Sequence, residues 1–354
     1  MRIGQAVRDL DRQSGGPSRS VPALCVALSR ADAIEHVQLW FQGSDDTIQL
    51  PEMAGLACRD TRVSPFATAG LHCLHLQGLW TPALHRIASQ ARRVDLPYVI
   101  SPRGMLSEWC LTHKRWKKRL AYWLYQGKDL KRASAIHVTS GQERRDVAKL
   151  LPDANIVEVP NGCDVPTDLA PAEKSGRLKA LVVCRLHPVK QLDMLVRLWC
   201  ELSPEGWELE IAGPGEPEYV AHLKRLVETA ENVAIRFTGE VDGVAKWEKL
   251  GAADLFILPS ASENFGMSVA EAMAAATPVL TTDGTPWQEL DAMGAGWTTG
   301  VDASSFRPTL ASALKASREE LRQKGLAAQL IIRDQYSWGQ IATRMATLYQ
   351  GVVV

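Results

Sequence analysis

The stretch that decides the fold covers residues 254–274 and reads DLFILPSASENFGMSVAEAMA. Residues 254–258 are almost entirely apolar, which predicts a buried strand, and the alanine-rich run that follows residue 266 predicts a helix. The polar turn between them, residues 259–266, then brings backbone N–H groups and the positive end of the helix to the carboxyl edge of a sheet. This arrangement favours the binding of anions.

Two acidic residues stand eight positions apart in this stretch, Glu263 in the turn and Glu271 inside the helix. At that separation the two carboxyl groups do not easily share a proton, as the acidic pair of a hydrolase does. Each can instead accept hydrogen bonds from hydroxyl groups at opposite ends of an elongated ligand.

Outside this stretch, apolar runs of strand length alternate with amphipathic helical segments. This alternation predicts a parallel α/β sheet that is covered on both faces. The other strands are expected at residues 71–76, 97–101, 135–139, 156–159, 178–184, 208–212 and 278–281, and helices at 193–202, 218–230 and 336–349.

The composition limits the class of protein. A length of 354 residues fits two domains of about 150 residues each. A break rich in proline and glycine at residues 160–176 indicates a linker. We therefore expect an N-terminal domain at residues 1–166, a C-terminal domain at 167–335 and a final helical segment at 336–354.

Charge and cysteine content exclude further classes. The 40 basic and 40 acidic residues cancel, which argues against a nucleic-acid partner that covers the whole surface. No apolar run is long enough to cross a membrane, and no secretory signal is readable. The seven cysteines form no C-x-x-C pair, which indicates reduced cysteines in a cytoplasmic protein without a metal site.

The spacing of Glu263 and Glu271 within a strand, turn and helix resembles the donor signature of the retaining glycosyltransferases of family 4. These enzymes have the GT-B fold, in which two Rossmann-like α/β domains face each other across a cleft and a C-terminal helix crosses back to the first domain. Other segments resemble the family in the same order along the chain: SGGPS at 14–18, RLHPVKQ at 185–191, IAGPG at 211–215, FTGEV at 237–241 and YSW at 336–338.

The resemblance implies transfer of a sugar from a UDP- or GDP-sugar to a hydroxyl group, with retention and without a cofactor or metal. Negative charge grows on the departing diphosphate, so fixed positive groups there lower the barrier. The resemblance assigns this role to Arg185 and Lys190, and assigns Glu263 to hydroxyls of the transferred sugar. The remaining donor contacts that it implies are Gly16, Asn264, Phe265 and Gly266 at the diphosphate, Glu271 at the ribose, and Gly239 and Val241 at the base.

The first domain departs from the family at two positions. In LHLQGLW at 74–80, Gln77 stands where a second histidine is usual, and in ISPRGML at 100–106, Arg103 stands where many relatives carry a histidine that contacts the donor sugar. Arginine keeps its proton near neutral pH, so Arg103 acts through charge or hydrogen bonding. We expect it to contact the donor sugar or the acceptor; the alternative is a structural arginine that bridges the cleft. His75 is either a ligand contact or a core residue.

Residues 113–132 hold eight Lys/Arg and one acidic residue, a net charge of +7. On a helix, Trp116, Leu120, Trp123 and Leu124 form one stripe, which we name the aromatic stripe. This pattern favours an anionic membrane surface, whereas the alternative is a helix whose stripe packs on its own sheet. An acceptor that is lipid-linked or an oligosaccharide, as in bacterial surface polysaccharide assembly, would place the protein at the inner face of the plasma membrane.

Two rival functions stay open. One is another enzyme of this fold, such as a phosphorylase or a sugar-nucleotide epimerase. The other is a non-catalytic GT-B subunit that binds nucleotide and recruits partners at the membrane. A nicotinamide dehydrogenase is disfavoured, because no G-x-G-x-x-G follows an expected strand.

Overall fold

The computed structural model describes residues 1–11, 15–48, 50, 52–112, 115–166, 176–228 and 234–353. Its contacts divide the chain into two units, the first made of Met1–Gly162 with Trp338–Val354 and the second of Cys163–Ser337. The expected domain limits at 166 and 335 lie within a few residues of these. Residues 167–175, where the expected linker falls in part, lie outside the described residues.

The first unit is a parallel sheet with the strand order β3-β2-β1-β4-β5-β6-β7 among its described residues. The strands are β1 (Arg2–Val7), β2 (His36–Phe41), β3 (Leu56–Asp60), β4 (Cys73–Gln77), β5 (Tyr98–Ser101), β6 (Ala135–Val138) and β7 (Ile156–Glu158). The helices are α1 (Gly16–Leu28), α2 (Pro82–Arg93), α3 (Glu108–Thr112), α4 (Arg115–Ala121), α5 (Gly127–Lys131) and α6 (Gly141–Leu150). A π-helical turn, Tyr122–Gln126, joins α4 to α5.

The second unit repeats this design with the strand order β10-β9-β8-β11-β12-β13 in its described part. The strands are β8 (Leu178–Val183), β9 (Trp207–Ala212), β10 (Ile235–Gly239), β11 (Leu255–Leu258), β12 (Val279–Thr282) and β13 (Gly296–Thr299). The helices are α7 (Leu192–Leu202), α8 (Pro217–Glu228), α9 (Gly243–Ala252), α10 (Met267–Ala274), α11 (Ala303–Ala313) and α12 (Arg318–Ile331). In both sheets the strand order reverses beside the first strand, and ligands of such sheets bind beyond the carboxyl ends at that reversal.

The last helix, α13 (Trp338–Val353), belongs to the first unit although it follows the second in the chain. It packs against α1, and its buried side chains Ile341, Met345 and Tyr349 join the core that α1 and β1 form. At its start the Trp338 ring lies so close to Gly162 that a Cβ atom at position 162 would be 2.3 Å from the ring. The expected return of the C-terminal helix to the first domain is confirmed.

One glycine in α12 tests how tightly the second unit is packed. A Cβ atom at Gly325 would lie 2.0 Å from the carbonyl oxygen of Ala276. Replacing glycine by alanine inside a helix ordinarily stabilises it by about 0.5–1 kcal/mol. We expect Gly325→Ala to lower the free energy of unfolding instead, by about 1–3 kcal/mol, because backbone has to move to admit the methyl group.

Urea denaturation measures this difference, and Gly251→Ala in α9 is the matched control, since a Cβ atom there meets nothing within 4 Å. The control should unfold at the same urea concentration as the parent or at a higher one. Equal stability of the two variants would contradict the close approach of α12 to Ala276.

Candidate active site

The opening stretch folds as its pattern predicts. Strand β11 runs into the polar turn, and α10 begins at Met267. Gly266 precedes the helix with φ of 76°, a left-handed conformation that glycine adopts without strain. Glu263 lies in the turn and its backbone N–H donates to the carbonyl of Gly284 at 2.9 Å, so the acid is held at the carboxyl edge of the sheet.

Lys190 and Glu263 form an ion pair between two turns of this edge. Lys190 ends a short 3₁₀ turn, Pro188–Lys190, and that turn is tied to the other by the N–H of Ala261, which donates to Val189 O at 2.8 Å. The two side chains are 16% and 14% exposed. The structure thus brings together Lys190, which the resemblance assigns to the diphosphate, and Glu263, which it assigns to the sugar.

Glu271 also has a lysine partner, which the sequence analysis missed. Nζ of Lys246 in α9 lies 2.7 Å from Oε1 of Glu271 in α10, and the side chains are 10% and 17% exposed. A lysine that is so little exposed needs such a counter-charge, because burial of a lone charge is costly. The only signal in the sequence is that Lys246 interrupts an otherwise apolar run with Ala245 and Trp247.

Arg185 lies two residues after β8 and its side chain is exposed. Its loop is fixed by the next residue, Leu186, whose N–H donates to Pro214 O at 2.7 Å. Gly213 supports this approach, since its φ is 138° and a Cβ atom there would lie 1.8 Å from the carbonyl oxygen of Cys184. Gly213 therefore has a structural role that no other residue can fill.

The remaining expected donor contacts of the second unit lie around this edge. Gly239 ends β10 with φ of 74°, and its carbonyl accepts from the N–H of Gly213 at 2.6 Å. Val241 follows, partly buried, before α9. Asn264 neighbours Phe265, whose ring is buried against Trp287 at 5.2 Å between centroids. Phe265 can therefore face a ligand only with its backbone.

In the first unit, Gly16 begins α1 at the carboxyl end of β1, after Gly15 with φ of 88°. A Cβ atom at Gly16 would meet nothing within 4 Å, so the backbone is open to close approach. Ser14 of the same motif lies outside the described residues.

Arg103 lies in the loop after β5, and two neutral amides hold its guanidinium. Its Nε and Nη2 donate to Oε1 of Gln77 at 2.9 and 2.7 Å, and its Nη1 donates to Oδ1 of Asn161 at 2.7 Å. Both partners belong to the first unit. Gln77 stands at the end of β4, beside the end of β5 in the parallel register.

Gln77 continues a chain of hydrogen bonds into the core. Its Nε2 donates to Oε1 of Gln5 at 2.8 Å, and Nε2 of Gln5 donates to the hydroxyl of Tyr349 in α13 at 2.8 Å. The Tyr349 hydroxyl lies 2.7 Å from Nδ1 of His75. Because that hydroxyl already accepts from Gln5, its own proton is directed to His75.

The chain ends on a backbone carbonyl. Nε2 of His75 lies 2.7 Å from Oγ of Ser101, Ser101 lies 2.5 Å from Nδ1 of His137, and Nε2 of His137 lies 2.7 Å from Val159 O. A carbonyl only accepts, so both histidines carry their proton on Nε2. The donors therefore run one way from Arg103 to Val159, a series that we name the Arg103–Val159 chain. His75 is a core residue with no exposed surface.

Burial keeps both histidines neutral. It lowers the pKa of His75 well below 6.5, with His137 and Arg103 adding repulsion, and it lowers the pKa of His137 to about 3, where Arg103 is the next cause. Protonation of either Nδ1 would also place a hydrogen atom where the chain requires an acceptor.

The basic segment is helical, as expected, but its aromatic stripe is not packed on the sheet. Trp116, Leu120, Trp123 and Leu124 are 68%, 50%, 81% and 60% exposed, so the packed alternative is wrong. The segment is anchored by its other side at Trp80. The hydroxyl of Tyr125 donates to Trp80 O at 2.9 Å, and Trp80 N donates to Oε1 of Gln126 at 2.8 Å. His113 and Lys114 lie outside the described residues.

With this geometry in place, two family models match the chain. Residues 168–325 match glycosyl transferases group 1, and residues 27–162 match the glycosyl transferase 4-like domain. The chain therefore belongs to the GT4-type glycosyltransferases. The first match contains both signature glutamates with both lysines, and the second contains Gln77 and Arg103.

Curated relatives of this glycosyltransferase act on varied acceptors by name. It is 28% identical to D-inositol 3-phosphate glycosyltransferase of Kineococcus radiotolerans, over 62% of this chain and 58% of that protein. It is 26% identical to phosphatidyl-myo-inositol mannosyltransferase of Mycobacterium leprae, over 56% and 54%. The chain thus matches little more than half of the length of these relatives. A lipopolysaccharide core mannosyltransferase of Rhizobium meliloti, LpsB, is 26% identical over 68% of this chain and 70% of that protein.

Solved structures confirm the GT-B fold of this glycosyltransferase. Sucrose-phosphate synthase from Thermosynechococcus elongatus matches with a TM-score of 0.79 at 18% identity, over 99% of each chain. WaaG, a glycosyltransferase of lipopolysaccharide biosynthesis, matches with a TM-score of 0.69 at 14% identity, over 99% of this chain and 100% of that one. At such identities the likeness speaks for the fold alone.

The described residues lack two features that other proteins use at a membrane or at a metal. No helix among them is both long and apolar enough to span a bilayer. In the same part of the chain, no three His, Cys, Asp or Glu side chains gather as metal ligands would.

The neutral histidines make the stability of the first unit dependent on pH. In the unfolded chain each histidine takes up a proton below about pH 6.5, whereas the native pKa of each is lower. The unfolded state therefore binds more protons between pH 6.5 and about 3. We expect the free energy of unfolding to be constant above this window and to fall within it by about 1.4 kcal/mol per histidine and pH unit.

Urea denaturation at several pH values between about 7 and 5 measures this slope. His137→Gln should reduce it, since one of the two groups no longer titrates, while His36→Gln on β2, outside the Arg103–Val159 chain, is the matched control and should leave it unchanged. An identical slope in His137→Gln and the parent would contradict the assignment.

Proposed function

We propose that the protein is a retaining glycosyltransferase that moves a sugar from a UDP- or GDP-sugar to a hydroxyl group of a lipid-linked or oligosaccharide acceptor in bacterial surface polysaccharide biosynthesis. The observation that carries the proposal is the pairing of both signature glutamates with lysines, Lys190 with Glu263 and Lys246 with Glu271, at the carboxyl edge of the second sheet. The relatives with mannosyltransferase and lipopolysaccharide core names support it.

In this proposal the second unit binds the donor and the first unit binds the acceptor. The diphosphate lies against the exposed guanidinium of Arg185 and the ammonium group of Lys190. Glu263, which fixes that ammonium group, accepts hydrogen bonds from hydroxyl groups of the transferred sugar. Lys246 holds the Glu271 carboxylate so that its second oxygen accepts from the ribose. The backbone of residues 264–266 donates to the diphosphate, and residues 239–241 border the base.

The proposed reaction is a front-face substitution. The bond between the anomeric carbon and the diphosphate oxygen breaks with its electron pair going to that oxygen, while the acceptor hydroxyl oxygen bonds to the anomeric carbon. The departing phosphate oxygen takes the hydroxyl proton. Arg185 and Lys190 stabilise the charge that grows on the diphosphate, which is the largest contribution that fixed groups make to such a barrier. No metal has a part in this scheme.

The donor is identified first, because a bound nucleotide raises stability by about 2.7 kcal/mol at one hundred times its dissociation constant. We expect UDP or GDP to raise the melting temperature. Lys246→Met should weaken the affinity for that nucleotide about tenfold, because Glu271 loses the ammonium group that orients it.

Release of the nucleoside diphosphate should then require an acceptor. Arg185→Ala should lower kcat by about 10²–10³.

Arg197→Ala, a change of an exposed arginine on α7, is the matched control and should keep full activity. A phosphorylase would need inorganic phosphate for turnover, and an epimerase would convert the donor without an acceptor. Nucleotide binding without turnover, whichever acceptor is supplied, would favour the alternative that the protein is a non-catalytic GT-B subunit.

We further propose that the aromatic stripe holds the protein peripherally on an anionic membrane at the inner face of the plasma membrane. Four exposed apolar side chains lie on a segment that is strongly basic, which fits a surface of anionic headgroups. Such a surface attracts each nearby Lys or Arg by about 1 kcal/mol, and tryptophan favours headgroup depth.

Vesicle flotation tests the attachment. The protein should bind vesicles that contain phosphatidylglycerol at low salt, and bind much less to pure phosphatidylcholine or at high salt. Replacing Trp116 and Trp123 together by alanine should lower the partition constant at least about tenfold. Val63→Ala, at a position that is 81% exposed in the same unit, is the matched control. Equal binding of the double variant and the control would contradict the proposal.

A further inference from the structure

Arg103 carries a charge that its neighbours do not neutralise. Its three hydrogen bonds use three of the five N–H groups of a guanidinium, and all three go to neutral amide oxygens, of Gln77 and Asn161. No carboxylate within the described residues forms an ion pair with it. The side chain is half-buried, and burial is the main influence on its pKa, which is lowered.

The acidic residue whose charge acts on Arg103 has other hydrogen-bond partners. Glu143 in α6 raises the Arg103 pKa by its charge, but its carboxylate is used locally. Oε1 accepts from the N–H of Gly104 at 2.6 Å, and Oε2 accepts from the N–H of Thr139 at 2.8 Å. Glu143 thus fixes the loop of Arg103 rather than capping the guanidinium.

The backbone of Arg103 is held in an unfavourable conformation. Its φ is 56°, in the left-handed region that costs a residue with a side chain about 1 kcal/mol or more. Such a conformation persists where surrounding bonds impose it. Here the Gly104 N–H bond and the amides of Gln77 and Asn161 impose it, so the loop directs this side chain to one place.

The Arg103–Val159 chain fixes the Gln77 amide in turn. Nε2 of Gln77 donates to Gln5, and Gln5 donates to Tyr349, so the amide presents its oxygen, and not its nitrogen, to Arg103. The one-way order of donors makes the reverse orientation costly, since it would leave a donor facing the guanidinium.

We propose that Arg103 binds an anionic group of the substrate, a phosphoryl group, and that Gln77, Gln5 and Tyr349 are positioning residues that fix its guanidinium. A half-buried cation held by neutral amides, with two N–H groups left over, has the chemistry to bind such an anion. The identity of the carrier rests on the proposed function: the phosphoryl group is either that of the donor diphosphate or one on the acceptor. An arginine at this position is thus a change of ligand, from a sugar hydroxyl to an anion.

The test measures binding of inorganic phosphate, so it does not depend on glycosyl transfer. Arg185 and Lys190 are replaced together by alanine, because they are the other expected phosphate contacts, and phosphate is titrated at constant ionic strength. Adding Arg103→Met should weaken phosphate at least about tenfold, as loss of a charge-assisted pair does. Adding Arg59→Met on β3, where the arginine is exposed, is the matched control and should change nothing.

Nucleotide affinity separates the two carriers. If Arg103→Met alone weakens UDP and GDP about tenfold, the phosphoryl group belongs to the donor. If nucleotide affinity is unchanged while phosphate binding is lost, it belongs to the acceptor. Equal phosphate affinity with and without Arg103→Met would overturn the proposal. The proposed glycosyl transfer would still stand, with Arg103 in contact only with uncharged groups.

Two variants test the positioning residues on folded protein, as judged by circular dichroism. Gln77→Glu supplies a carboxylate to the guanidinium and should abolish phosphate binding while the protein stays folded, which a purely structural role of Gln77 does not produce. Tyr349→Phe interrupts the chain at α13 and should weaken phosphate about threefold. Unchanged phosphate affinity in both variants would overturn the positioning role, and either one alone suffices if the other does not fold.

Discussion

The first unit depends on the rule that a buried polar group needs a partner, applied to the whole Arg103–Val159 chain. A guanidinium can only donate and a carbonyl can only accept, so the two ends determine the orientation of every amide, hydroxyl and imidazole between them. The chain joins β1, β4, β5, β6 and α13, which are far apart in sequence. Loss of one member leaves its neighbours unsatisfied in the core, which explains why two glutamines, a serine and two histidines are tolerated where apolar residues are the rule.

The second unit handles its polar groups in the opposite way. Its candidate site holds full charges, and each carboxylate is matched by one ammonium group at the surface of the edge, so the charges are compensated in pairs. In a pair of this kind, a ligand group can take the place of one member if it carries a charge of the same sign as that member. The two units therefore differ: in the first a network of neutral groups holds one guanidinium, and in the second opposite charges lie in pairs.

Much of the fold could be predicted from the sequence. Every expected strand occurs, because each is a short apolar run bounded by polar or proline residues. Five strands, β1, β2, β3, β10 and β13, were not among the expected ones. In β1 the polar Gln5 interrupts the apolar pattern, and it is buried only because Tyr349 and Gln77 satisfy it. β3 is an edge strand with one buried residue among its five, so no alternation of buried and exposed positions marks it.

The site was predictable only where spacing along the chain carried the signal. Glu263 stands out by its distance from Glu271 in sequence, whereas Lys246 is identified only by its contact across two helices. For Arg103 the sequence left open a choice between a ligand contact and a structural role. The structure shows hydrogen bonds from Arg103 to Gln77 and Asn161, and these bonds leave two N–H groups of the guanidinium for a ligand.

The π-helical turn at Tyr122–Gln126 has a consequence for how this region is built. A π turn contains one residue more than an α turn, and each residue of a helix rotates the following ones by about 100°. The extra residue sets the phase between the anchored side, which binds both backbone groups of Trp80, and the exposed Trp116 and Leu120 of α4 before it. Removing one residue here would turn the outward face of α4 by more than a quarter of a revolution against a fixed anchor. The length of this turn, more than its composition, thus decides which side chains the helix offers to its surroundings.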